Sequence, residues 1–300
     1  MSEQPYHFID PATLARIDNY ALIARNIVEG FVTGLHRSLY HGLGSEFVQY
    51  REYSKGDDLK YIDWKVFARH DKYQMKVFQE ETNTNCYIVL DTSTSMAYEG
   101  RTSGISKIRY GKILAACIAY MVNRQGDNVG FYAYNDRLKC GIRPSHKSGH
   151  VHRICAQLAT LEPEGVCNHE FVFNYLGENF NRRGLIVLIS DFLDTDVALL
   201  KAVRHFRYSH HDCIMFQILD DDELDFPFDA TIRFIDSESA DEIVTSPEIV
   251  RDQYVEQLNA YLRDLEKFCL DANIDYQRMR TSNPLANALS AYLSRREIFQ

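Results

Sequence analysis

The sequence predicts an α/β protein built on a doubly wound, mostly parallel sheet. Short continuous apolar runs, such as 87–90 and 185–189, are typical of strands that are buried on both faces. Segments with apolar residues at helical spacing lie between these runs, so strands and helices alternate along much of the chain. This alternation is typical of a parallel sheet that is covered by helices on both sides.

The first part of the chain lacks that alternation. An N-cap residue followed by proline begins a helix, and two strands surround a compact segment that holds the single tryptophan. The predicted elements are a helix from Pro11 to about Val28, strands over 47–53 and 75–80, and the compact segment 61–69. We therefore expect an accessory, helix and strand-rich segment over 1–84 and a sheet domain with C-terminal helices over 85–300.

The second part supplies the regular alternation. The predicted elements are strand 86–90, helix 107–124, strands 128–134 and 137–142, helices 151–161 and 169–179, strand 185–190, helix 197–208 and strand 212–218. The strand at 137–142 is expected to pair with its predecessor as an antiparallel hairpin. The remaining elements are an edge strand over 230–235, a helix from Pro247 to about Cys269, strand 275–279 and helix 284–295.

Composition limits the function classes. The chain has 33 basic and 42 acidic residues, a net charge of −9, which argues against binding to nucleic acid or to an anionic membrane surface. Seven cysteines without a Cys-x-x-Cys pair suggest reduced thiols. With no apolar run long enough to span a bilayer and no signal-peptide pattern, the expected location is the cytoplasm.

Two predicted strands end in oxygen-bearing side chains. Asp91, Ser93 and Ser95 follow one strand, and Asp191 follows another. Because ligands of open α/β sheets bind beyond the carboxyl ends of the strands, these groups are expected to meet and to bind Mg²⁺ or Mn²⁺. The alternative is an ordinary polar turn, in which Asp91 or Ser93 caps the following helix.

The Asp-x-Ser-x-Ser stretch at 91–95, together with Ile-Ser-Asp ending at Asp191, resembles the von Willebrand factor type A domain with its metal-ion-dependent adhesion site. Further blocks resemble an uncharacterised bacterial family that carries such a domain, whose genes commonly lie beside MoxR-type AAA+ ATPases. These blocks are Gly44–Phe47, Arg51–Tyr53, Gly56–Asp58, Ile62–Trp64, Ala68–Arg69, Lys76–Phe78, Leu224–Phe228 and Thr281–Leu285. The resemblance extends from about residue 36 to 296.

The resemblance implies how the site would bind its cation. Ser93 and Ser95 would bind directly through their hydroxyl groups, whereas Asp91 and Asp191 would act mostly through water. With few carboxylates in direct contact, the cation would accept an acidic ligand from a partner protein.

The same resemblance places a threonine of the middle loop near residues 165–168, where this chain has none. Cys167 is a poor ligand for Mg²⁺ because sulfur is soft. Asn168 is therefore the residue expected to supply an oxygen. The alternatives are a weaker site and a vestigial one.

These observations favour a non-enzymatic, cation-dependent protein-interaction module that works with a MoxR-type AAA+ ATPase or its client. One alternative is a magnesium-dependent phosphatase with Asp91 as nucleophile, but Ser93 stands where such enzymes usually carry a second acid. Another is a structural subunit with a vestigial metal motif. The acidic run 220–223 and the paired His210 and His211 are expected to be solvated.

Overall fold

The computed structural model of the chain divides into two compact units. The smaller unit comprises residues 38–83, and the larger comprises residues 1–37 and 84–300. The structure describes residues 11–14, 17–35, 49–52, 74–77, 84–180, 182–193, 197–229, 232–235, 242–286 and 288–290. The predicted segment 61–69 and most of the sequence blocks between 44 and 73 lie outside these residues. The division into 1–84 and 85–300 stays a prediction.

The described part of the smaller unit is one antiparallel strand pair. β1 (Gln49–Glu52) pairs with β2 (Gln74–Val77), with Gln49 opposite Val77. β1 lies within the segment predicted as a strand over 47–53, and β2 overlaps the predicted strand 75–80 but begins one residue earlier.

The larger unit is built on a six-stranded sheet. Its strands are β3 (Asn85–Asp91), β4 (Asn128–Tyr134), β5 (Leu138–Ser145), β6 (Gly184–Ser190), β7 (Asp212–Leu219) and, after a separate pair, β10 (Asp275–Arg280). The order across the sheet is β10-β7-β6-β3-β4-β5. All neighbours are parallel except β4 and β5, which form the predicted antiparallel pair. The α/β class and the mostly parallel sheet are confirmed.

Helices cover both faces of this sheet. Their bounds are α1 Pro11–Leu14, α2 Tyr20–Leu35, α3 Lys107–Arg124, α4 His150–Thr160, α5 His169–Asn179, α6 Val197–Tyr208, α7 Asp221–Asp225 and α8 Pro247–Asp271. α3 lies against β3, β4, β6 and β7, and both α2 and α4 pack on α3. α5 and α6 pack together, and α8 contacts β10.

Successive side chains of each strand point to opposite faces of the sheet. A Cβ atom on Gly111 of α3 would lie 3.0 Å from Leu90 and 3.4 Å from Ile189, so the helix backbone lies close to this face. Val89 and Leu188 point to the other face, where they join a buried cluster with side chains of α5, α6 and α8. The sheet is therefore buried on both sides, as its continuous apolar strands predict.

Several element predictions are wrong. The helix predicted from Pro11 to Val28 is interrupted at residues 17–19, because the Asn19 side chain accepts the Leu22 N–H at 3.0 Å and begins a new helix. β8 (Ile232–Ile235) is a strand, but it pairs with β9 (Glu242–Thr245) in a separate two-stranded sheet rather than at an edge of the main sheet. Of the predicted helix 284–295, residues 287 and 291–295 lie outside the described part.

The predicted solvated acidic turn is also wrong. Asp220 begins the short helix α7 with a capping box, in which its side chain and that of Glu223 accept each other's backbone N–H groups. Asp220 is fully buried and accepts hydrogen bonds from Ser103 at 2.8 Å and Thr281 at 2.6 Å. This carboxylate therefore joins the loop before α3 to the ends of β7 and β10.

Among the residues that the structure describes, none of the helices combines the length and the apolar character that a membrane crossing requires.

Candidate metal centre

Asp91 and Asp191 lie at the carboxyl ends of two neighbouring parallel strands. Asp91 is the last residue of β3, and Asp191 follows the last residue of β6. From β3 the chain continues to β4 on one side, whereas β6, β7 and β10 lie on the other. Such a switch point is where open α/β sheets form their ligand sites.

Asp91 is fully buried and accepts hydrogen bonds at both carboxylate oxygens. Its Oδ1 accepts the Ser93 backbone N–H at 2.8 Å, and its Oδ2 accepts the Ser190 hydroxyl at 2.6 Å. The Cys167 thiol lies 3.4 Å from the same Oδ2 and donates to it. These three donors are neutral groups. Burial, and to a smaller extent the charge of Asp191, raises the pKa of Asp91 above its usual range, although His169 opposes this effect.

Ser93 and Ser95 present their hydroxyl groups side by side. Ser93 precedes a short 3-10 helix (Thr94–Ala97), and this tight turn places the two Oγ atoms 3.1 Å apart. In an octahedral Mg²⁺ shell, adjacent oxygens at about 2.05 Å from the ion lie about 2.9 Å from each other. The Ser95 hydroxyl also helps to lower the pKa of Asp191, so it lies near both strand ends. The separation of the two hydroxyls fits neighbouring positions around a hard cation.

Asp191 has a cationic partner that sequence reasoning missed. Lys107, the first residue of α3, is 1% exposed, and its Nζ lies 2.8 Å from Asp191 Oδ2 and 2.6 Å from Glu223 Oε1. Burial alone would raise the pKa of Asp191, but the charge and hydrogen bond of Lys107, with smaller contributions from Ser95 and His169, outweigh burial and hold this pKa below its usual value. For Glu223 burial prevails over Lys107, and its pKa is raised.

We call this group of side chains the strand-end cluster: Asp91, Ser93, Ser95, Lys107, Asp191 and Glu223. Two of its three carboxyl groups, those of Asp191 and Glu223, contact the Lys107 ammonium, and that of Asp91 does not. The cluster therefore has two negative charges in excess when all three carboxyl groups are ionised. Buried carboxylates with too little positive charge nearby favour either protonation or an added cation. A divalent cation would balance the cluster.

Asn168 does not join the strand-end cluster. It is exposed, and its Oδ1 accepts the Phe171 N–H at 3.0 Å as the N-cap of α5. The neighbouring Cys167 instead directs its sulfur toward Asp91. The residues that the structure brings together are thus Asp91, Ser93, Ser95 and Asp191, whereas Asn168 lies apart in a capping role.

Three further residues at the site were not singled out from the sequence. Lys107 neutralises Asp191, Ser190 orients Asp91, and His169 lies beside Cys167, with its Nδ1 3.3 Å from the sulfur. Ser190 is the one with a local signal, since it stands directly before Asp191 in the second strand-end motif. Lys107 and His169 are ordinary helix-start residues in the sequence.

The chain is similar to proteins without an assigned activity. Uncharacterized proteins of Mycobacterium tuberculosis and Mycobacterium bovis are each 26% identical to it over 295 residues, which cover 96% of this chain and 91% of theirs. Solved structures with a similar chain path include BatB of Bacteroides thetaiotaomicron and an aerotolerance-related membrane protein of Bacteroides fragilis. Each has 16% identity and a TM-score of 0.48, and covers 71% of this chain and 98% or 99% of its own.

The family model described as "Protein of unknown function DUF58" matches residues 49–261, which is more than half of the chain. The matched range includes Asp91 and Asp191 and every strand of the main sheet except β10. The protein therefore belongs to the family of proteins of unknown function DUF58.

Proposed function

We propose that this protein is a non-enzymatic, cation-dependent protein-interaction module of the von Willebrand factor A-like type. Its cation site comprises Asp91, Ser93, Ser95 and Asp191 and takes Mg²⁺ or Mn²⁺. One observation carries the proposal: Asp91 is fully buried at a switch point of the sheet, yet its hydrogen-bond donors are all neutral. A buried carboxylate of this kind is stabilised in its ionised form by a bound cation.

The chain's own residues would prepare the cation site. The Ser93 amide and the Ser190 hydroxyl fix the Asp91 carboxylate, and the 3-10 turn directs the two serine hydroxyls to one side. Lys107 holds Asp191 in its ionised form. A bound divalent cation would supply an electrophilic position that accepts a carboxylate from a partner protein.

The partner is proposed from the resemblance of the sequence blocks. Proteins with these blocks are commonly encoded beside MoxR-type AAA+ ATPases, so we propose such an ATPase, or a client that it remodels, as the partner. Most of the blocks between 44 and 78 lie outside the described residues. A cytoplasmic location stays part of the same proposal.

The phosphatase alternative requires an accessible nucleophile at Asp91. Both oxygens of this carboxylate accept hydrogen bonds, and its side chain has no exposed surface. A carboxylate that attacks phosphorus needs a free oxygen in line with the substrate. This geometry favours the interaction module over the phosphatase, and a vestigial site remains the alternative that the experiment must separate.

The direct test is cation binding by the full chain, measured by calorimetry with Mg²⁺ and by electron paramagnetic resonance with Mn²⁺. Ser93→Ala removes one ligand oxygen at a small change in volume, and we expect at least about tenfold weaker binding. Asp91→Asn should abolish binding. Ser290→Ala is the matched control, because its exposed hydroxyl donates to the Ala286 carbonyl four residues earlier and lies outside the strand-end cluster. Equal affinity in all four proteins would refute the site, and no binding by the wild type would leave the motif vestigial.

The partner is tested by capture from the native lysate with Mg²⁺ or with EDTA, using wild-type and Ser93→Ala bait. We expect an AAA+ ATPase to be retained only by the wild type in Mg²⁺. Retention of the same proteins under all conditions would show that the cation site is not the contact.

A further inference from the structure

A second group of metal-ligating atoms adjoins the strand-end cluster and is not used by the proposed function. Cys167 Sγ lies 3.4 Å from Asp91 Oδ2, 3.3 Å from His169 Nδ1 and 3.5 Å from His169 Nε2. One ligand atom from each of the three residues lies within 4.8 Å of the other two. A thiol, an imidazole and a carboxylate therefore converge at one point.

These separations match a zinc coordination shell. With Zn–S and Zn–N bonds of about 2.3 Å and about 2.05 Å at tetrahedral angles, sulfur and nitrogen lie about 3.5 Å apart, and a carboxylate oxygen lies at a similar distance from the sulfur. The three residues could thus bind one ion with small movements of their side chains. Hydrogen bonds produce similar distances, so the test must detect the metal–sulfur bond itself.

The fold holds the loop that carries two of these residues. Asn168, between Cys167 and His169, donates its backbone N–H to the Asn135 carbonyl at 3.0 Å and caps α5 through the Phe171 N–H. The sulfur and the imidazole are therefore fixed on either side of a helix start. Because Asn168 caps the helix instead of binding a cation, it fixes the positions of Cys167 and His169.

Neighbouring hydroxyl groups already orient the His169 imidazole and the Asp91 carboxylate. The Tyr134 hydroxyl lies 3.0 Å from His169 Nδ1, which leaves Nε2 to bind an ion, and ligating histidines usually hydrogen-bond through their second nitrogen. Ser190 donates to Asp91 Oδ2 and fixes that carboxylate. Asp91 and His169 are buried, whereas Cys167 is half-buried, so the group of ligands reaches the surface at Cys167.

We propose that Asp91, Cys167 and His169 form a site for a borderline-soft divalent cation of the zinc type, with a fourth position open to an outside ligand. Thiolate and imidazole ligands select Zn²⁺ over Mg²⁺, and a site with three protein ligands leaves one position for water or a ligand atom from another molecule. Cys167 releases its thiol proton to solvent when the ion binds.

This site shares one residue with the proposed hard-cation site. Asp91 Oδ2 faces Cys167, whereas Oδ1 faces the Ser93 amide, so the two cations would lie on different sides of the same carboxylate. The zinc-type site does not depend on the interaction function, since neither Cys167 nor His169 belongs to the hard-cation set. The two proposals therefore fail separately.

The probe is Co²⁺, which takes zinc sites and shows a thiolate-to-metal charge-transfer band in the near ultraviolet. The reduced, metal-free full chain is titrated with Co²⁺ and then with Zn²⁺. We expect the band to appear at one Co²⁺ per chain and to disappear when Zn²⁺ displaces it. Absence of the band in the wild type would overturn the proposal.

Variants identify the ligands. Cys167→Ala should abolish the band while Mg²⁺ binding persists, and His169→Gln should weaken Co²⁺ binding at least about tenfold. Cys140→Ser is the matched control, because Cys140 is the other cysteine of the described residues that is not fully buried. A band that persists in Cys167→Ala, or that Cys140→Ser removes, would show an adventitious ion elsewhere. Ser93→Ala should keep the band, and thermal unfolding confirms that each variant is folded.

Discussion

Asp91 and Asp191 end neighbouring strands of one sheet, yet their carboxyl groups have opposite electrostatic environments. Asp91 is surrounded by neutral donors, and burial raises its pKa. Asp191 is buried to a similar degree, but the Lys107 ammonium lies 2.8 Å away and lowers its pKa. The protein has already neutralised one strand end with its own lysine and has left the other able to accept an added charge.

The pKa shifts of Asp91 and Asp191 affect the stability of the folded protein with opposite sign. Because the pKa of Asp91 is higher in the folded protein, its ionisation opposes folding as the pH rises above the unfolded-state value of about 3.9. Because the pKa of Asp191 is lower when folded, it contributes stability above that value, and this contribution is lost as the pH falls through its folded pKa. Substitutions can test this difference directly.

The largest effect is expected from Lys107→Met, which fills the same space but leaves Asp191 and Glu223 without their buried cation. Breaking a buried ion pair from one side typically lowers the free energy of unfolding by about 3–5 kcal/mol. Urea denaturation at neutral pH measures this loss. Lys201→Met, on the exposed face of α6, is the control and should change stability little. If the two variants were equally stable, Lys107 would not be neutralising the strand end.

A smaller effect should separate the two aspartates in metal-free protein. Asp191→Asn removes a charge-assisted hydrogen bond to Lys107 and should lower the free energy of unfolding by about 1.5–3 kcal/mol. Asp91→Asn removes an unfavourable buried charge, and its amide can still bond the Ser93 N–H and the rotatable Ser190 hydroxyl. Its stability should therefore equal or exceed that of the wild type. The same urea denaturation measures both, and equal destabilisation would contradict the comparison.

The sequence predicts the parts of this site that depend on local pattern. Apolar runs located β3 and β6, and parallel pairing of adjacent strands brings Asp91 and Asp191 to one edge of the sheet. The short spacing from Asp91 to Ser95 sufficed to predict a group of oxygens. These inferences need the direction of the strands but no knowledge of long-range packing.

The electrostatic difference could not be predicted in this way. Lys107 reaches across 84 residues to Asp191 and across 116 to Glu223, so its partners follow from how α3 lies on the sheet. In the middle loop, a shift of one residue decides whether Cys167 or Asn168 faces Asp91. The cap at Asn168 is a common local signal, but it competes with the ligand role, and the sequence alone does not rank the two.

A buried histidine away from the strand-end cluster also makes the stability of the protein depend on pH. His211 precedes β7 at the opposite, amino end of the strands and is 1% exposed, which overturns the expectation of a solvated histidine. Burial lowers its pKa, although the hydrogen bond between its Nε2 and the Phe180 carbonyl opposes this shift. The sign of its contribution to stability follows from this direction.

Because the pKa of His211 is lower in the folded than in the unfolded protein, the folded protein is favoured above the unfolded-state pKa of about 6.5. This stabilisation is lost as the pH falls below that pKa. His211→Gln, which keeps a donor for the Phe180 carbonyl, should remove this loss between about pH 7 and about pH 5, the smallest of the three effects. His210→Asn is the control, because His210 is exposed at a φ of 60°, which asparagine tolerates. Urea denaturation at both pH values measures each variant. If His211→Gln lost as much stability at low pH as the wild type, the acid sensitivity would belong to other groups, Asp91 and Asp191 among them. The pH profiles of Asp91→Asn and Asp191→Asn would then show which of the two aspartates is responsible.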